Sequence, residues 1–262
     1  HSARLSIGLS PMPLLSIAGG ALFAERFGSG PPRVLALHGW GRRGADFSAA
    51  LDGLDAIALD LPGFGASPPP SEALGAAGYA ELIQPVDELF DEPPVVVGHS
   101  FGGRVAVAAQ ASRPGWAAGL VLVGSPLIRL SAGRRPPLVY RVARLAHRAG
   151  LISDEVMESR RNRHGSADYR AAQGVMRDVL VRVVNESYEH ELQRLGVPVT
   201  LLWGANDTEA PVAIARLARD LIESAGDPVE LEIRESLGHH LPVQNPEVVR
   251  EAVEAMLARV GR

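Results

Sequence analysis

The sequence predicts an α/β fold: a mostly parallel central sheet with helices on both faces and a helical insertion. Three observations carry this. Short β-branched runs alternate with longer helical patterns from residue 33 onward, as parallel strands joined by helical crossovers do. Most of these runs are apolar on both alternations, which suits strands covered on both faces. One connection is far longer than a crossover needs.

Taken in order, residues 11–24 (PMPLLSIAGGALFA) have the apolar look of a secretory leader, but Gly19-Gly20 interrupts them. Ile17-Ala18 and Ala21-Leu22 read instead as two strands around a two-residue turn. The chain opens at His1-Ser2 without a methionine, and that dipeptide is expected to be an expression remnant. Strands follow at 33–37 (RVLAL), 56–59 (AIAL), 94–97 (PVVV), 119–123 (GLVLV), 197–203 (VPVTLLW) and 229–233 (VELEI). Helices are expected at 78–90, 100–112, 211–224 and 246–260. The last opens on Asn245-Pro246, a capping residue followed by proline at the first helical position.

From Val123 to Val197 the chain needs only about 10–12 residues to cross over, and it uses several times that number. The excess reads as helices inserted above the sheet. Leu138, Val142, Leu145 and Ala149 share one helical face, with Arg141, Arg144 and Arg148 opposite. Ser153 and Ser166 are candidate N-caps, and Val175, Val179 and Val183 form a second stripe. The expected organisation is therefore a core over 1–126 and 195–262, with a helical cap over 127–194.

Composition narrows the chemistry. Among 262 residues there is no cysteine and no lysine, so all 26 basic residues are arginine. Thiolate catalysis, disulfides and Cys-held metals are excluded. So are Schiff bases, Ser–Lys dyads and the P-loop lysine. A formal charge of −4 gives no reason to expect nucleic acid as a partner. No apolar run reaches the ~18 residues of a membrane span, and the expected location is cytoplasmic. Residues 129–194 hold 13 of the arginines and 8 of the 30 acids, a formal +5, leaving −9 for the remainder. That asymmetry reads as a solvated, ion-paired helix surface or as an attractive field for an anionic substrate or acidic partner.

Gly98-His99-Ser100-Phe101-Gly102 matches G-x-S-x-G between an expected strand and an expected helix. In that setting the glycines permit a tight turn that lifts the serine hydroxyl above the sheet edge, with a helix N-terminus behind it. A serine nucleophile needs a histidine base, and an acid to hold that base's tautomer. Asp207 follows the strand ending in Trp203, and His239 and His240 follow the strand ending in Ile233. Both loops belong to the same sheet edge as Ser100. No H-E-x-x-H or similar ligand spacing is present, so neither a metal nor a cofactor is expected.

At this point the chain resembles the α/β-hydrolase superfamily over nearly its whole length. His38-Gly39-Trp40-Gly41 is similar to that family's oxyanion loop, and residues 60–67 (DLPGFGAS) to its D-x-P-G-x-G-x-S stretch. GHSFGG resembles its nucleophile elbow, and WGANDTEAP and GHHLPVQNPE its acid and histidine segments. The resemblance implies the order Ser100, Asp207, His239, with His239 rather than His240 in the motif register. It also implies an oxyanion hole built from the backbone N–H groups of Trp40 and Phe101. Some relatives carry the acid one strand earlier, where this chain reads Gly124-Ser125-Pro126 without a carboxylate. His38 and His99 are expected to organise loops rather than move protons.

The activity implied is hydrolysis of small or medium carboxylic esters through an acyl-enzyme on Ser100. Relatives with aspartate at the elbow, the haloalkane dehalogenases and epoxide hydrolases, are set aside. A thioesterase, an acyl-carrier methyl esterase, a C–C bond hydrolase, a lactonase and a perhydrolase would use the same triad. The arginine-rich cap favours the carrier-type reading, with an acidic carrier protein as partner. A slow-turnover ligand receptor of the same fold is the alternative of a different class.

Overall fold

The computed structural model describes residues 14–130 and 167–261. The helical stripe at 138–149 and the caps at Ser153 and Ser166 lie outside the described residues, as does much of the arginine-rich segment. The strands are β1 (Leu14–Ile17), β2 (Leu22–Phe27), β3 (Val34–Leu37), β4 (Ala56–Asp60), β5 (Val95–His99), β6 (Gly119–Val123), β7 (Val199–Gly204) and β8 (Val229–Arg234). They form one eight-stranded sheet in the order β1-β2-β4-β3-β5-β6-β7-β8. The pairs β1·β2 and β2·β4 are antiparallel, and the rest are parallel.

Alternation along the strands makes two cores. Leu35, Leu37, Ile57, Leu59, Val96, Leu120, Leu122 and Leu201 face one side. Val34, Ala36, Ala56, Ala58, Val95, Val97, Val121 and Leu202 face the other. The first side is covered by α1 (Ala76–Leu82), α2 (Phe101–Ser112), α3 (Gly174–Val183) and α4 (Val212–Ser224), the second by the short helix Ser48–Leu51 and α5 (Pro246–Arg259). Apolar burial on both faces is why β3 to β7 are nearly all buried, as a parallel sheet requires. The edge strand β8 differs: its Glu230 pairs with Arg259 at 3.1 Å and its Arg234 with Glu251 at 3.5 Å. Charge along an edge discourages pairing with another chain. No helix among the described residues is long and apolar enough to cross a membrane.

Two local expectations are corrected. Ile17 pairs with Leu22, so the N-terminal hairpin loop spans residues 18–21 rather than a two-residue turn. Ala18, Gly19 and Gly20 take φ values of 49°, 66° and 94°, a left-handed run that Gly-Gly makes inexpensive. The helix expected over 78–90 stops at Leu82 and resumes as a 3₁₀ segment, Gln84–Leu89. Pro85 has no amide hydrogen to donate and restricts Gln84, so the α-helix cannot continue through it.

The chain leaves the sheet after β6 and returns at β7, and its outgoing and returning arms lie side by side. Tyr188 N–H donates to the Leu127 carbonyl at 2.9 Å, and Arg129 N–H to Ser187 Oγ at 2.9 Å. The buried Arg104 of α2 ties both arms, donating from Nε to the Pro126 carbonyl at 2.9 Å and from Nη1 to that of Val183. Glu186 accepts from Ala76 N–H at 3.0 Å, at the start of α1, and from Tyr188 O–H at 2.6 Å.

Candidate active site

Ser100 stands between β5 and α2 with φ 50° and ψ −109°. A non-glycine residue there stores about 1–3 kcal/mol of strain, so its surroundings must hold it. Its amide donates to the Val123 carbonyl of β6 at 2.9 Å, and its carbonyl accepts from Gly103 N–H at 3.2 Å. The neighbouring glycines are required by close approach. A Cβ on Gly98 would lie 2.7 Å from Gly103 Cα, one on Gly102 would lie 2.1 Å from the Leu37 carbonyl oxygen, and one on Gly103 would lie 1.9 Å from Ser125 Oγ. The start of α2 is therefore seated directly on the ends of β3 and β5. Phe101, its first residue, has an amide with no partner inside the helix.

Asp207 lies on the loop after β7 with its side chain wholly buried. Its Oδ1 accepts from the amides of Glu209 and Ala210 at 2.9 and 2.8 Å. Its Oδ2 lies 2.8 Å from His239 Nδ1. A ring that donates from Nδ1 to a carboxylate carries its available lone pair on the ε nitrogen. The two loops can meet because residue 204 is glycine, where a Cβ would lie 2.4 Å from the carbonyl oxygens of Leu237 and Gly238. Asp207 thus pairs with His239 and not with His240.

Ser100 joins this pair at one edge of the sheet. A Cβ on Gly124, the residue after Val123, would lie 3.0 Å from Asp207 Oδ2 and 3.3 Å from His239 Nδ1. Among the described residues Ser100 Oγ makes no hydrogen bond to His239. The imidazole instead presents Nε2 to Glu209 Oε2 at 3.5 Å, while Glu209 Oε1 lies 3.7 Å from His240 Nε2. Glu209 is the site residue that sequence reasoning missed. Its one signal was its place two residues after Asp207.

The remaining histidines brace the loops. His38 donates from Nδ1 to the Gly39 carbonyl at 2.7 Å and accepts at Nε2 from Leu61 N–H at 2.9 Å. Burial pushes its pKa down, which keeps this acceptor available. His99 Nε2 donates to the His239 carbonyl at 2.9 Å. Burial, with His239 beside it, lowers its pKa to about 3, so it stays neutral. Gly39 rests on the elbow, since a Cβ there would lie 3.3 Å from Ser100 Cβ. Trp40 follows, its ring 5.6 Å from that of Phe101 and 4.9 Å from that of Phe64.

The DLPGFGAS stretch holds this loop from below. Asp60 Oδ1 accepts from Gly44 N–H at 2.7 Å and Oδ2 from Ala66 N–H at 2.8 Å, while Ser67 Oγ donates to the Asp60 carbonyl at 2.6 Å. Gly65, at φ 56°, has no space for a Cβ beside that carboxylate. One group of histidines could hold a metal: His99, His239 and His240 each bring a ring nitrogen within 4.8 Å of the others.

The chain is 39% identical over 117 residues to Lipase LipV of Mycobacterium tuberculosis, covering 43% of this chain and 44% of the relative. It is 37% identical over 122 residues to the pimeloyl-[acyl-carrier protein] methyl ester esterase of Aeromonas hydrophila, covering 45% and 47%. Each match thus spans less than half the relative's length. Among solved structures, a thermophilic esterase superposes with a TM-score of 0.70 at 21% identity, covering 95% of this chain and 98% of that one, which is a likeness of fold. The profile of the Alpha/beta hydrolase family matches residues 34–252, from the first parallel strand to within the last helix. That span takes in the elbow, the Asp207 loop and the His239 loop, and the chain belongs to the alpha/beta hydrolase family.

Proposed function

We propose that the chain is a serine carboxylesterase for esters of small or medium acyl chains. The observation that carries this reading is the buried Asp207–His239 pair, set at the same sheet edge as a serine held at positive φ at the start of a helix. In the proposed cycle Ser100 Oγ attacks the ester carbonyl carbon and its proton passes to His239 Nε2. The amides of Trp40 and Phe101 take the oxyanion. Collapse expels the alcohol, which leaves with the proton from His239, and water activated by the same nitrogen releases the acid and restores Ser100. For this the imidazole turns from Glu209 towards Ser100 Oγ, a contact of the kind that tightens in the substrate complex. Residues 127–194 act as the cap that shapes the pocket.

The test is a panel of nitrophenyl esters and thioesters of increasing acyl length, run on wild type, Ser100→Ala, His239→Ala and His240→Ala. Turnover should favour short or medium esters, vanish in the Ser100 and His239 variants, and persist in His240→Ala. Stoichiometric release without further turnover would favour the receptor reading instead, and activity surviving Ser100→Ala would end the proposal.

A second reading is favoured by the formal +5 of residues 129–194 together with the carrier-protein esterase named above. Here the substrate is an ester on an acidic carrier protein docked on the cap. Its turnover would fall steeply with salt while that of a neutral short ester would not. Equal salt responses would remove it.

A further inference from the structure

We propose that Glu209, His239 and His240 form an inhibitory site for a divalent transition metal of the zinc class, at the mouth of the catalytic centre. One carboxylate faces two imidazole ε nitrogens, with Oε2 3.5 Å from His239 Nε2 and Oε1 3.7 Å from His240 Nε2. Zinc bonds to nitrogen and carboxylate oxygen of about 2.0–2.2 Å in a tetrahedron place neighbouring donor atoms about 3.3–3.6 Å apart. The two carboxylate–imidazole separations, one through each oxygen of Glu209, lie within a few tenths of an ångström of that range. Two imidazoles and a carboxylate are a donor set that zinc, copper and nickel accept and magnesium does not.

The surroundings strengthen the case. His239 donates from Nδ1 to Asp207 Oδ2 at 2.8 Å. A carboxylate behind a histidine in this way is the arrangement that orients an imidazole and raises its basicity toward a metal. The pairing that suits a general base therefore also suits a ligand. His240 Nδ1 is buried without a hydrogen-bond partner, which leaves Nε2 as its approachable nitrogen. The Glu209 side chain is 55% exposed, so an ion can enter from solvent. His99, the third histidine of the cluster, is held at Nε2 by the His239 carbonyl and could reach an ion only through Nδ1. A metal on His239 Nε2 occupies the lone pair that would take the Ser100 proton, and turnover stops until the ion leaves. Inhibition rests on the proposed role of His239 as base, whereas binding does not.

The experiment measures both on the full chain. Zinc binding is read by competition with a chromogenic zinc indicator, on wild type, His240→Ala and Glu209→Ala. Ester turnover is read with and without zinc, EDTA and magnesium. Wild type should bind one zinc at this site and lose activity with the same midpoint, regained with EDTA, and magnesium should have no effect. Binding and inhibition should weaken tenfold or more in each variant, and His240→Ala should keep its metal-free turnover. Failure of wild type to bind zinc, or equal binding and inhibition in wild type and both variants, would overturn the proposal. Zinc binding with the expected loss in the variants, in a chain without ester turnover, would keep the metal site and end the esterase reading.

Discussion

Replacing Gly102 by alanine should damage turnover far more than stability. The added methyl would sit 2.1 Å from the Leu37 carbonyl oxygen, 2.4 Å from its carbon and 2.8 Å from the His38 carbonyl oxygen, where real Cβ contacts essentially never fall below 3.0 Å. All three atoms are backbone, so no rotamer change relieves the clash. The end of β3 and the start of α2 must separate by about 1 Å. Trp40 is carried by the loop after β3 and Phe101 opens α2, so the two amides proposed to hold the oxyanion move apart by a similar amount. A misplacement of that size costs about 100-fold in rate, and loss of one oxyanion donor costs about 100- to 1,000-fold. Overpacking costs about 1–3 kcal/mol of stability, a modest fraction of what a domain has. The control is Gly238→Ala, next to His239, where a Cβ meets nothing within 4 Å. The assay is kcat for a short nitrophenyl ester together with the urea unfolding midpoint. A Gly102→Ala kcat within threefold of wild type, or an equal loss in Gly238→Ala, would refute this expectation.

Two further outcomes are expected. Asp60→Ala leaves the buried amide of Gly44 without its acceptor, and the more exposed amide of Ala66 as well, and should cost about 1–3 kcal/mol for the buried orphan; Asp60→Asn, which keeps one acceptor oxygen, should lose less in urea titration, and equal losses would count against the assignment. The fold should also weaken in mild acid. Below its ordinary value of 6.5 the unfolded chain protonates His99, which the folded chain keeps neutral down to about 3. Each pH unit in that window removes about 1.4 kcal/mol, or about 2 kcal/mol by pH 5. His38, shifted in the same direction by burial, adds to the loss. Unfolding at pH 7.5 and pH 5.0 measures this, and His99→Gln, which can still donate to the His239 carbonyl, should flatten the dependence.

The parallel strands were legible because burial on both faces writes itself into contiguous apolar runs such as GLVLV, observed as β6 at the expected residues. The N-terminal edge was not. The sequence LFAERF of β2 mixes charged and apolar residues, and its pairing with β4 joins residues 29 to 37 positions apart. Pro85 was visible in the sequence, and its effect on the helix over 78–90 followed from local sterics that an apolar periodicity overlooks. At the site, G-x-S-x-G located Ser100 because a tight strand-to-helix turn demands glycine at fixed offsets. The meeting of Asp207 with His239 joins two loops, and the sequence offered it only as candidates in an order. Glu209 was harder still: its bearing on both histidines arises from where those loops cross, and no local pattern records such a crossing.

The paired arms at Leu127–Tyr188 and Arg129–Ser187 have a consequence for how this chain can be altered. The long excursion leaves and re-enters through one narrow doorway, and on its return α3 packs Val179 and Val183 into the core. Doubling the length of a loop closed in this way costs only about 0.6 kcal/mol in chain entropy. Length can therefore be added between Arg129 and α3 at small entropic cost, provided that α3 keeps its place. A short turn replacing residues 129–187 would instead remove Val179 and Val183 from the core, and the sheet would lose part of its cover on that face.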